Sequence, residues 1–106
     1  MTSKQEQMNE LQKKNIEAAM RLAQLSIENS QRIMEIQVST AKALFEQGVS
    51  NAKALATVKD PKEAVELRTQ YAQATTEKML SCAREIAEVA TRTQTEVGKL
   101  VGEQLT

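Results

Sequence analysis

The chain has 106 residues, 14 lysines and arginines against 14 aspartates and glutamates, no histidine, one cysteine and only two aromatic residues, Phe45 and Tyr71. A balanced charge lacks the basic excess that neutralises phosphates in a nucleic-acid binder. One cysteine without histidine supplies neither a nucleophile–base pair nor a zinc ligand set, so no enzyme, metal or cofactor is expected.

The length fits a single domain over residues 1–106. One proline and three glycines leave little to interrupt helices. Alanine, glutamine, glutamate, lysine, leucine and methionine, which lose least on entering a helix, dominate the rest. The fold class expected is all-α, with two long amphipathic helices forming a helical hairpin or an elongated, coiled-coil-like oligomer.

In chain order, Met1 to Glu10 is polar throughout and holds no hydrophobic signal core. No apolar run approaches the roughly 20 residues that span a bilayer, so no transmembrane segment is expected and the cytoplasm is the default location. Helix 1 is predicted from about Ser3 to Thr57, with Gly48 its weakest point. Two apolar rows recur along it at three- and four-residue steps. The first runs through Ile16, Met20, Ala23, Ile27, Met34, Val38, Ala41, Phe45, Val49, Ala52 and Ala56. The second, Leu11, Leu22, Leu25, Ile33, Ile36, Leu44 and Leu55, lies on a different side. Gln12, Ser26, Ser30 and Gln37 separate the two, and Glu17, Arg21, Glu28, Arg32, Glu35, Glu46 and Lys53 share the remaining face.

The one firm break is Val58-Lys59-Asp60-Pro61. Proline disfavours helix in the residue before it and suits the first helical position. Asp60 is then the N-cap, and Glu63 stands where the return partner of a capping box belongs. Helix 2 is predicted from about Pro61 to Gln104, with fraying near Gly98 and Gly102. Val65, Ala72, Met79, Ile86 and Leu100 repeat at multiples of seven residues. Cys82 and Val89 occupy the alternate seam of the heptad, interrupted by Arg68, Thr75 and Glu96. Glu10–Lys14, Glu17–Arg21, Glu28–Arg32 and Glu88–Arg92 are spaced for i,i+4 ion pairs.

One row of helix 1 can pack on helix 2, which leaves the other bare. A row of that length exceeds the few hundred Å² a monomer normally exposes, so it must meet another subunit or a hydrophobic surface. Cys82, among apolar neighbours, reads as a small core residue rather than a reactive thiol.

Lys42-Ala43-Leu44-Phe45-Glu46-Gln47-Gly48-Val49, Ala52-Lys53-Ala54-Leu55 and Lys59-Asp60-Pro61 resemble the middle of a phasin domain. Glu63 to Gln70, Ala83-Arg84-Glu85-Ile86, Thr93-Gln94-Thr95-Glu96 and Lys99-Leu100 continue the similarity, which spans roughly Asn15 to Leu105. The resemblance implies a non-catalytic coat on polyhydroxyalkanoate granules that controls granule size, number and coalescence. It also implies contacts with the polymer synthase or depolymerase. In that setting the expected granule-facing seam is Ile16, Met20, Ile27, Met34, Val38, Phe45 and Val49. Val65, Ala72, Met79, Ile86, Val89 and Leu100 are the expected self-association residues of a homo-oligomer. The Lys/Ala/Pro-rich DNA-binding tail of some phasins is missing from this sequence. The competing reading is a helical coiled-coil scaffold or adaptor for a protein partner; a protein lying flat on lipid fits less well, given the neutral charge and few aromatics.

Overall fold

The computed structural model describes residues 3–105, and the side chains of residues 3–103. Its elements are two α-helices, α1 (Lys4–Thr57) and α2 (Pro61–Leu105), and no strand occurs among the described residues. α1 runs through Gly48, and α2 runs through Gly98 and Gly102 to Leu105, within a residue of the end expected from the sequence. Among the described residues no helix is long and apolar enough to cross a membrane.

Local chemistry sets the helix ends. Ser3 caps α1: its hydroxyl oxygen accepts the Glu6 N–H at 3.2 Å and its carbonyl accepts the Gln7 N–H at 3.0 Å. At the other end, the Thr57 hydroxyl donates to Ala54 O at 3.0 Å, and Val58 N–H reaches Leu55 O at 3.4 Å in a tightened last turn. Asp60 caps α2 as its sequence position requires, with Oδ1 accepting the Lys62 N–H at 3.0 Å and its carbonyl accepting Ala64 N–H at 3.1 Å. Glu63 adds negative charge to the first turn, but it does not make the return bond of a capping box.

The chain forms two compact units, one of residues 3–32 with 88–105 and the other of residues 33–87. In the first, Arg21 meets Glu96 and Asn29 meets Thr93, while Lys14 and Glu103 line one crevice, so the segments of α1 and α2 run antiparallel. In the second, Gly48 lies beside Tyr71, and Gln37, Thr40, Ala41 and Leu44 share a crevice with Met79 and Cys82. This unit contains the Asp60-Pro61 break and is an antiparallel hairpin.

The most buried apolar residues among those described are Leu25 and Val89 in the first unit and Ile36 in the second. Ile33, Leu44 and Leu55 are half-buried, so the second apolar row of α1 is its packing row. Leu11 and Leu22 of that row are exposed. For Leu11 the reason is register: Lys14 already stands near Glu103, and the turns of α1 before it run past that point.

Candidate apolar surface of the two helices

The inward face of α1 carries a mixed set: Leu25, Asn29, Ile33, Ile36, Thr40, Leu44, Gln47 and Asn51 are buried or half-buried. The outward face reads differently. Ile16, Met20, Ile27, Met34, Val38, Phe45 and Val49 are all exposed, from 38% for Val49 to 72% for Phe45. At about 100° per residue the seven fall within roughly 60° of one another on the helix, and they lie about 150° from the packing row. In the first unit this row is Ile16, Met20 and Ile27; in the second it is Met34, Val38, Phe45 and Val49. In each unit, therefore, the more continuous apolar row of α1 is on the side away from α2. The ordinary arrangement has a single apolar row facing the partner helix; here a second one is left exposed.

Polar contacts tie the inward faces together. In the first unit the Thr93 hydroxyl lies 2.8 Å from Asn29 Oδ1 and 3.0 Å from Val89 O, and its one proton serves one of these acceptors at a time. Arg21 Nη2 donates to Glu96 Oε2 at 3.2 Å, and Nη1 donates to Gln24 Oε1 at 3.2 Å. Arg21 was expected to pair with Glu17; it reaches across to α2 instead, because Glu96 interrupts the seam of α2 that faces it. Of the four expected i,i+4 pairs, Glu88–Arg92 closes, at 3.8 Å. In the second unit Gln47 Oε1 and Thr75 Oγ1 are buried without a hydrogen-bond partner among the described residues.

The expected self-association residues of α2 divide. Val65, Ala72 and Met79 are exposed, Ile86 and Leu100 are half-buried, and Val89 is 9% exposed, beside Leu25 in one shallow cleft. Val89 therefore packs inside its own unit and is not open to a second copy. Val89 faces inward because it lies on the alternate seam. For Ile86 and Leu100 the cause is arithmetic, since at 3.6 residues per turn a strict seven-residue repeat drifts by about 20° per heptad. A row that starts outward at Val65 has turned inward by Ile86. The inward seam of α2 is the alternate one, with Thr75 and Cys82 half-buried and Val89 buried.

Exposed large apolar residues that the sequence patterns did not place in either functional set are Met8, Leu11, Leu22, Leu80 and Val101. Leu80 stands next to Met79, and no periodic signal marked it. Thr69 and Thr76, exposed near Val65, Ala72 and Met79, donate their hydroxyls at 2.9 Å to the carbonyls of Val65 and Ala72. With their donors satisfied on their own helix, these threonines interrupt the apolar character of that face less than free hydroxyls would.

No curated protein and no solved structure gives a significant match to the chain. The family model described as phasin protein matches residues 6–105, which takes in both helices, the Asp60-Pro61 break and the whole outward row of α1. The chain belongs to the phasin family, whose members are non-catalytic proteins associated with polyhydroxyalkanoate granules.

Proposed function

We propose that this protein coats polyhydroxyalkanoate granules in the cytoplasm, adsorbing through the outward row of α1 and thereby limiting coalescence and setting granule size and number. The observation that carries the reading is that row: Ile16, Met20, Ile27, Met34, Val38, Phe45 and Val49 all face away from the packing row and are exposed. An amorphous polyester surface is apolar and has no fixed shape, so a flexible aliphatic row suits it better than a pocket. Burying apolar area at about 25 cal/mol per Å² makes several such residues together a strong adsorber. The charged residues beside the row, among them Glu28, Arg32, Glu35 and Glu46, would stay hydrated and hold neighbouring granules apart.

Self-association falls to Val65, Ala72 and Met79, which are exposed at heptad spacing in the second unit. Contacts with a polymer synthase or depolymerase would involve the hydrated side of the coat.

The test is co-sedimentation of the full chain with amorphous poly(3-hydroxybutyrate) particles, with phospholipid vesicles as the comparison. Selective pelleting with polyester is expected, and Ile27→Glu/Val38→Glu/Phe45→Glu should abolish it while the helical circular dichroism is retained. A stable oligomer that binds neither surface would overturn this reading in favour of a coiled-coil scaffold for a protein partner.

A further inference from the structure

We infer that the chain meets an apolar surface with the α1–α2 pairing of each unit closed, through α1 alone, leaving α2 on the side that faces water. This rests on the granule-coat reading and concerns how the coat is laid down. Amphipathic helix pairs have two routes onto an apolar phase. They can open and lay their former interior on it, or stay closed and use an outer face.

The residues of this chain separate the two routes. Opening the first unit would put Asn29, Thr93 and the Arg21–Glu96 pair against the polymer. Opening the second would do the same with Thr40, Gln47, Asn51 and Thr75, all half-buried on the inward side. Polar groups placed against an apolar phase without partners are penalised, and the gain in return is a few aliphatic side chains. The outward row needs no such exchange, because its apolar residues are already exposed and a single polar residue, Gln31, falls within its arc between Ile16 and Val49. α2 has no outward row of comparable length: its exposed Lys62, Glu66, Glu77, Arg84, Glu88, Arg92 and Lys99 mark the side left to water.

Two independent covalent locks test this on the full chain. Asn29 and Thr93 touch in the first unit, so Asn29→Cys/Thr93→Cys in a Cys82→Ser background can be bridged by a short bis-maleimide. Gln37 and the native Cys82 line one crevice in the second unit, so Gln37→Cys alone creates the second pair. Each variant is compared bridged and capped singly with N-ethylmaleimide, for binding to amorphous poly(3-hydroxybutyrate) particles. Bridged and capped forms should bind within about twofold of each other for both locks. A tenfold or greater loss confined to the bridged form of either variant overturns the closed mode for that unit and leaves the granule reading standing. Failure of the unmodified wild-type protein to bind sinks the granule reading, and this inference with it.

Discussion

At the scale of single residues, the structure turns on a few side chains that do unusual local duty. Gly48 is half-buried inside α1, and a Cβ there would stand 3.4 Å from the Tyr71 hydroxyl, an ordinary contact. Gly98 has nothing within 4 Å of the same position. Glycine in a helix interior costs roughly 0.5–1 kcal/mol relative to alanine. Gly48→Ala and Gly98→Ala should therefore each raise stability by about that much in chemical denaturation. Loss of stability in Gly48→Ala with a gain in Gly98→Ala would mean that the Tyr71 hydroxyl cannot give way. Asp60 is the other local pivot, because its carboxylate supplies the cap that starts α2. Asp60→Ala should cost about 1 kcal/mol, whereas Asp60→Asn, which keeps the acceptor, should cost much less.

At the scale of the helix, α1 has two apolar rows, one packed and one exposed, and substitutions should sort by row. Leu25→Ala removes a side chain that is 6% exposed and should lower stability by about 2–3 kcal/mol while leaving an apolar row for adsorption. Phe45→Ala, on a side chain 72% exposed, should leave the unfolding midpoint nearly unchanged and weaken polyester binding several-fold. If Phe45→Ala destabilised the chain as much as Leu25→Ala, the outward row would be core. Both apolar rows of α1 could be read from spacing alone, because a helix converts three- and four-residue steps directly into angle, but spacing left open which row packs on α2. The Asp60-Pro61 break was equally legible, since proline and an N-cap act through the backbone beside them. α2 was less so. Its heptad signal persists from Val65 to Leu100, yet a straight helix turns that row from outside to inside, and no spacing rule says where the partner helix lies. Arg21 illustrates the same limit: its local partner Glu17 is visible in the sequence, while the cross-helix partner Glu96 depends on register.

At the scale of the whole molecule, formal charge cancels, with 14 basic and 14 acidic groups. Adsorption driven by aliphatic contact on a neutral chain should depend weakly on ionic strength. Affinity for polyester particles is expected to change by less than about threefold between roughly 50 mM and 500 mM salt, a range over which exposed charge pairs are largely screened. A steep fall with salt would assign the binding to charged residues instead. The two units share α1 and α2, and each has a small apolar core: Leu25 and Val89 in the first, where Asn29–Thr93 and Arg21–Glu96 add polar contacts, and Ile36 in the second.

Nothing about the outward row of α1 is specific to polyester. It has no pocket, no aromatic cage and no fixed donor pattern, only aliphatic and thioether side chains and one phenyl ring held toward water. Air is also an apolar phase, so the same residues should carry the protein to the top of its own solution. In a drop tensiometer the wild-type chain should lower the surface tension of buffer at dilute concentration, with no polymer present. Ile27→Glu/Val38→Glu/Phe45→Glu should behave as a much poorer surfactant. The practical corollary is that shaking, bubbling and bare plastic would deplete the protein during handling, and detergent above its micelle threshold would compete with granules for the row.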